Sequence, residues 1–428
     1  MSRILLLAGL ISLPACLWAS SPEAQAWLDH ERLPGSQAMG MGGALTALGE
    51  DWSAAWYNPA ALAWQRRAEL NLGYELGNES LTQSVSTDGT EQTSEESLAH
   101  FSHIGYAYPM PSVRGGFCWG LGWARLADFS RRAGFPDQNW SVSSSQAGHM
   151  DAWLLSGALQ LTQTLAGGLT LAFRQGVLEQ VEQESSAVDT ILWRGYDQVK
   201  LDGVSLRLGL QARTGPLQLG LLLEPAYKQT VDWSYHVQQG EPGQVLPEGL
   251  HGASTYSIRY PALISLGAGW RQRFWQVGLS WDWQDWADLE YEDLPAGQNL
   301  LLSDELLARA FQGRHRLRLG GEWYVPGTDL RLRGGVWTAG EARTDTRLTA
   351  RPEGEDPYSY WNYQVETPRR GVSLGLSLLL QEAVALDLSV LRESWELRYL
   401  EYEQAGQRLE RRESEDRWRA QLALTYRY

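Results

Sequence analysis

From Ala68 onward the dominant pattern of apolar and polar residues has a period of two. Successive side chains of an extended strand point to opposite faces, so a period of two means strands with one apolar and one polar face. The last segment shows it best. Trp418, Ala420, Leu422, Leu424, Tyr426 and Tyr428 alternate with Arg419, Gln421, Thr425 and Arg427. Trp275, Val277, Leu279, Trp281 and Trp283 interleave with Gln276, Gly278, Ser280, Asp282 and Gln284 in the same way. Extended along the chain, the pattern predicts strands near 68–77, 99–109, 115–127, 151–163, 168–181, 200–213, 215–235, 256–271, 274–287, 314–325, 329–341, 370–381, 383–397 and 415–428. That makes fourteen, and an even count is what a single-chain bacterial barrel needs.

The connections alternate between short and long. Short ones fall at Pro109–Arg114, Leu165–Gly167, Thr214–Gly215, Gln272–Arg273, Pro326–Thr328 and Glu382. Long ones span roughly 78–98, 128–150, 182–199, 236–255, 288–313, 342–369 and 398–414. Short periplasmic turns and long outer loops belong to a transmembrane β-barrel, and this order places both termini in the periplasm. The same register puts Trp123, Trp153, Trp233, Trp283, Trp286, Trp337, Trp395 and Trp418 at the outer ends of strands. It puts Tyr108, Trp270, Trp275, Tyr324, Tyr426 and Tyr428 at the periplasmic ends. Two aromatic girdles are thus expected. A soluble β-sandwich also alternates, but it accounts for neither the loop order nor the girdles.

Composition agrees. Trp at 21, Tyr at 18 and Gly at 44 are high together. A mean hydropathy of -0.35 excludes a bundle of apolar helices, yet a barrel strand needs apolar residues on one side only. The formal charge of -15 argues against nucleic acid and fits acidic outer loops such as Glu91–Glu96. The apolar run Ile4–Ala19 after Arg3 reads as a signal peptide covering residues 1–21, with cleavage near Ala19 to Ser21. Leu13-Pro14-Ala15-Cys16 approaches a lipoprotein site, against which Pro14 counts. If Cys16 leaves with the signal, Cys118 is the one remaining thiol and no intramolecular disulfide forms.

Residues 22–67 break the strand pattern. Gly40, Gly42 and Gly43 make a close-packing stretch. Asn58-Pro59 reads as a helix cap followed by proline at the first helical position, and Glu50-Asp51 as the start of another short turn. Fourteen strands enclose more space than their own side chains fill. Residues 22–67 are therefore expected as a plug inside a barrel formed by 68–428. The plug contacts are expected from Gly40, Gly42, Gly43, Asp51, Asn58 and Pro59.

Gly35-Ser36-Gln37-Ala38-Met39-Gly40-Met41-Gly42-Gly43-Ala44, then Glu50-Asp51 and Tyr57-Asn58-Pro59-Ala60-Ala61-Leu62, resemble the start of FadL-like outer-membrane transport proteins and of the related PorV-type barrels. Tyr260-Pro261-Ala262, Asp282-Trp283 and Leu319-Gly320-Gly321-Glu322-Trp323-Tyr324 are also similar, and the likeness spans essentially the whole mature chain. The resemblance implies a fourteen-stranded barrel with an N-terminal hatch that admits hydrophobic molecules, long-chain fatty acids or aromatic hydrocarbons. It also implies an outer-membrane location and recognition of the terminal Tyr428 by the barrel assembly machinery. The PorV likeness offers a second role, a protein-binding component of a secretion or surface-attachment system. A third is a surface barrel acting only through its loops.

No catalytic constellation stands out, so no enzyme activity is expected, and no cofactor or metal either. His100 and His103, three apart on a strand, should face opposite ways. The inward parity gathers Arg174, Arg207, Arg419, Glu224, Asp282, Glu322 and Asp387. It also holds Arg316, Arg318, Arg331 and Arg333 on adjacent strands. Two readings stand for these four: they hold the carboxylate of an amphipathic ligand, or they pair with lumenal acids and the plug. Phe129, Phe135 and Trp140 suggest an outer landing groove for a hydrophobic ligand, or simple loop packing. Gly115, Gly116, Gly120 and Gly122 suggest a kink in the third strand, which by the FadL resemblance would open a lateral exit.

Overall fold

The computed structural model describes Leu28, residues 30–85, 91–111, 115–136, 140–186, 191–241, 249–294, 311–343, 363–381, 383–402 and 408–428. The expected signal peptide lies outside these residues. The described chain forms a closed antiparallel barrel of fourteen strands. In chain order they are β1 (Glu69–Val85), β2 (Glu91–Met110), β3 (Phe117–Asp128, resuming at Arg131–Pro136), β4 (Trp140–Gln160), β5 (Leu165–Ser186), β6 (Ile191–Thr214) and β7 (Leu217–Glu224 and Tyr227–Gly240). Then follow β8 (Leu250–Tyr260 and Leu263–Arg271), β9 (Trp275–Asp285, continued by Glu290–Glu292), β10 (Gly313–Tyr324), β11 (Leu330–Ala339), β12 (Tyr363–Glu366 and Arg369–Leu380), β13 (Val384–Tyr402) and β14 (Arg408–Arg427). Each pairs with the next, and β1 pairs with β14 from Glu69↔Arg427 to Val85↔Arg411. Closure leaves no strand edge exposed.

Burial is the reverse of a soluble protein's. Leu70, Leu72 and Leu76 are exposed on the outside, while Glu69, Asn71 and Glu75 between them are buried. The same inversion runs through β9, where Val277 and Leu279 are exposed and Gln276 and Ser280 buried. Polar groups can be buried in this way because they meet one another inside, and the apolar face is left for lipid.

All fourteen expected strands are present, but several are longer than their apolar alternation. The stretches expected as loops at 78–98, 128–150, 182–199, 236–255 and 398–414 are in large part strand, and the acidic run Glu91–Glu96 lies in β2. Beyond the membrane both faces of a strand meet water, so no apolar parity marks it. β7 and β8 are interrupted at Pro225-Ala226 and Pro261-Ala262, where proline cannot donate to the ladder.

The girdles are corrected in part. Trp153 and Trp418 are exposed toward one end, and Trp270, Trp275, Trp323, Tyr426 and Tyr428 toward the other. Tyr106 and Tyr428 meet hydroxyl to hydroxyl at 2.7 Å across the closing seam. Trp286 and Trp395, however, are buried inside, Trp337 packs against the buried core, and Tyr324 reaches inward to donate to Glu50 at 3.2 Å. These four carry the inward parity of their strands or, for Trp286, a short 3-10 turn that ends the strand.

A second correction concerns the histidines. β2 carries a bulge at Ser102, since Gly73 pairs with His103 but Tyr74 with Phe101. The extra residue flips the parity, so His100 and His103 both turn inward. His103 then meets Asn71 Oδ1 at 2.5 Å and Ser102 Oγ at 3.0 Å, and His100 lies 3.6 Å from Asp128. No metal-ligating cluster occurs among the described residues.

Candidate lumenal site

The N-terminal segment has three short helical pieces: α1 (Ser36–Gly40), α2 (Ala54–Tyr57) and a 3-10 helix, Pro59–Trp64. The Asn58 side chain caps the last, accepting from Ala60 N at 3.2 Å. Its amide donates to Thr46 O at 2.7 Å and to Leu210 O of β6 at 3.0 Å. One side chain thus caps a helix, ties the segment to itself and ties it to the wall. Asp51 holds Ser53 N at 2.9 Å, and burial pushes its carboxyl above the usual range. Gly42 and Gly43 have φ of 60° and 77°, the left-handed region that favours glycine.

This segment touches inward-facing side chains from most of the strands. Arg32 bridges Glu75 and Glu79 of β1 at 2.9 and 3.1 Å. Thr46 meets Ser265 and Ser280, Ala55 O accepts from Thr170, Ser36 O from Ser389, and Gly40 O from Ser373. The buried carbonyls of a segment with little regular structure are satisfied by hydroxyls of the wall.

Glycine makes the close approach possible. A Cβ at Gly220 would lie 2.0 Å from Thr46 O, at Gly320 2.2 Å from Met41 O, and at Gly335 2.3 Å from Met41 C. At Gly168 it would lie 2.5 Å from Ala60 N, at Gly209 2.2 Å from Asn58 Oδ1, and at Gly269 and Gly278 about 2.5 Å from Leu48. Gly105 and Gly122 leave room for the Trp52 ring, which stacks on His103 at 5.8 Å. A band of missing side chains across β5 to β11, and again on β2 and β3, forms a groove for residues 40–62. This corrects the kink expected in β3. Its register is unbroken through Gly120 and Gly122, and the irregularity comes at Arg125/Ala127. The signal was present in the sequence as glycine on inward positions of successive strands, but only the path of the N-terminal segment gives it meaning.

Between this segment and the wall lie two adjoining cavities of about 60 and 30 Å³. Arg314, Arg316, Arg318, Glu31 and Leu33 border both. Arg316 donates through both terminal nitrogens to the two oxygens of Glu31, Nη1 at 3.0 Å, and lies over the Trp337 ring. Burial raises the Glu31 carboxyl, but the charge and hydrogen bonds of Arg316 outweigh it and hold the group at about 2. Arg318 pairs with Asp282 at 2.5 Å, and Arg174 and Arg207 share Glu224 at 2.5 and 2.6 Å. Arg207 also stacks on Trp56 at 3.9 Å.

Of the four arginines expected on adjacent strands, only Arg316 and Arg318 reach the cavities. Arg333 bridges Glu322 and Asp387 at 2.6 and 2.5 Å, and Arg331 lies over Tyr324. Phe129 is buried edge-on to His30. Phe135 and Trp140 lie in strand, with side chains outside the described set. Glu31 and Arg32, which the sequence reading passed over, are the acid and base that join the N-terminal segment to the wall.

No family model and no curated protein sequence matches the chain. Among solved structures it is similar to a FadL homologue of Pseudomonas aeruginosa, at 15% identity and TM-score 0.63, covering 93% of this chain and 99% of that one. It is also similar to the P. putida toluene transporter TodX, at 14% and 0.60 with 93% and 99% covered. The Ralstonia pickettii toluene transporter TbuX follows at 12% and 0.56, with 92% and 98% covered. The chain has the FadL-type barrel fold.

Proposed function

We propose that this FadL-type barrel is an outer-membrane channel for passive uptake of hydrophobic small molecules, with residues 28–67 as a plug that must shift to let them through. The observation that carries this reading is the pairing of an outer apolar belt with a lumen filled by a separate N-terminal segment. Because the filler is a separate segment of short helical pieces and not one of the barrel strands, it can shift without opening the wall. Both cavities are below the roughly 150 Å³ that holds a benzene. The conformation described is therefore closed, and passage needs the segment to move. The toluene transporters among the similar structures favour toluene-sized aromatics as cargo, and the FadL resemblance of the sequence adds long-chain fatty acids as the other class. Cells lacking their own hydrocarbon channels, given this barrel, should take up labelled oleate or toluene faster than cells without it. Equal uptake of both would sink the proposal.

The closed lumen gives substance to a second reading, a PorV-like barrel that binds protein partners and conducts nothing. That reading expects no uptake in any variant and co-purification of a specific periplasmic or surface protein.

A further inference from the structure

The outward residues at the end of the barrel away from Tyr428 are not alike all round. Trp153 on β4 and Trp418 on β14 are exposed there, and Trp281 on β9 stacks on His315 of β10 with ring centres 5.7 Å apart. From β11 to β13 this girdle has a gap, because Trp337 and Trp395 turn inward. The residues facing out at that height are Thr338, Arg370 and Arg392, with Thr338 opposite Arg370 and Arg392 opposite Trp418. Arg370 also stands opposite Ser394, two positions from Arg392. Diagonal neighbours of that kind have β-carbons about 7–8 Å apart, so both guanidiniums can reach one headgroup.

Arg370 has no hydrogen-bond or ion-pair partner among the described residues. Arg392 lies over the Trp418 ring at 5.2 Å and donates to Asp416 through Nε, at 3.1 and 3.2 Å, and through Nη2. Its Nη1 keeps both protons for another acceptor. Farther out on the same panel, Arg398 and Arg412 share Glu396 at 2.8 and 3.0 Å. Among the described outward residues here, four arginines thus face two acids, in a chain whose net charge is -15. Toward the membrane the same face is aliphatic and open: Val372, Leu374 and Leu422 are 57%, 68% and 58% exposed, and Leu388 lies between them. A guanidinium fork matches phosphate oxygens, and here it stands where a lipid headgroup meets its hydrocarbon.

We propose that the outward panel of β12 to β14 binds a phosphorylated, multi-acyl glycolipid of the outer leaflet, with Arg370 and Arg392 on its phosphates and the leucine face along its acyl chains. Charge complementarity selects an anionic headgroup, and the apolar row directly beneath selects a headgroup that carries chains. With β11 the panel is four strands, roughly 14 Å, wide, broader than the two chains of a simple phospholipid. Trp418 closes one side, with Arg392 resting on its ring. The site needs only the outer-membrane location and is independent of what the lumen carries.

The test uses the full-length barrel in detergent, titrated with lipid A carrying both phosphates, with monophosphoryl lipid A and with phosphatidylglycerol, binding being read by native mass spectrometry. Lipid A with both phosphates should bind about tenfold tighter than phosphatidylglycerol, and the monophosphoryl form should fall between them. Arg370→Gln with Arg392→Gln should weaken the first by about tenfold and leave phosphatidylglycerol unchanged. Lysine at both positions should restore only part, since an ammonium offers charge without the fork. Arg259→Gln is the matched control, an equally exposed outward arginine on β8 already paired with Glu290 at 2.9 Å. Equal affinity of the unaltered barrel for the three lipids overturns the proposal, and needs no variant to fold. Unchanged lipid A binding in the double glutamine variant overturns it too, as does a parallel loss of phosphatidylglycerol, which would mean general attraction to any lipid phosphate. Full displacement of lipid A by millimolar inorganic phosphate would make this an ion site and not a lipid site.

Discussion

Replacing Gly168, Gly220 and Gly320 together by alanine should unseat the N-terminal segment while leaving the barrel folded. The three new methyl groups would stand 2.5, 2.0 and 2.2 Å from backbone atoms of Ala60, Thr46 and Met41, well inside ordinary contact, which begins at 3.4 Å. Backbone cannot swing aside as a side chain tip does, so the segment must lift or the wall must bend. Forcing a methylene into a filled site costs about 1–3 kcal/mol. The three sites touch different stretches of the segment, so their effects should nearly add, to roughly 3–9 kcal/mol against seating. At 1.4 kcal/mol per factor of ten, even the low end raises the unseated fraction about a hundredfold. The wall itself gains, because alanine is favoured over glycine in a strand by roughly 0.5–1 kcal/mol. Opposite signs in two parts of one molecule make the test sharp. Single-channel conductance in planar bilayers should rise from near closed to a steady open level, and residues 28–67 should become sensitive to protease, while the heat-modifiable gel shift of the folded barrel persists. Gly157→Ala, which meets nothing within 4 Å, is the matched control. A triple variant with resting conductance, a protected N-terminal segment and an intact barrel would refute the groove and the seating argument with it.

Other expectations follow from the same geometry. Glu31 is held at about 2 against an ordinary 4.5, so its ionised form strengthens the attachment of the segment before Gly35 fully above pH 4.5. That contribution fades as pH falls from 4.5 through 2, and stability to urea should fall in that window, by less in Glu31→Gln. Leu279→Arg, on an exposed outward position of β9, should destabilise the barrel in lipid by about 2–4 kcal/mol, measured by urea unfolding; an unchanged midpoint would contradict a lipid-facing surface. Arg333→Gln leaves Glu322 and Asp387 buried without their shared cation, and should cost roughly 3–5 kcal/mol in the same assay. Because Arg333 borders neither cavity, oleate uptake by the variant that still folds should stay the same; a loss would return it to the ligand site.

The chain's alternation carried the architecture unaided. One-residue alternation, short and long connections in turn, and an even strand total follow from pleat geometry and from water lying on both sides of a lipid layer, and these are local properties of a sequence. Where both faces of a strand are wet, as in the outer part of β2 or β4, that pattern is lost and the strand reads as loop. Parity also failed wherever one residue was added or a strand bent out of line. The bulge at Ser102 turned His100 inward, and the turn after Asp285 buried Trp286. The lumenal site lay beyond local reading for a different reason. Arg316 and Glu31 stand 285 positions apart, and nothing near either residue specifies the other. Glycines that read singly as kinks or weak spots formed a groove only once nine strands had closed around the segment that lies in it. Which arginine meets which acid is decided by curvature, shear and the path of an irregular chain through a confined space, and those belong to the closed barrel as a whole.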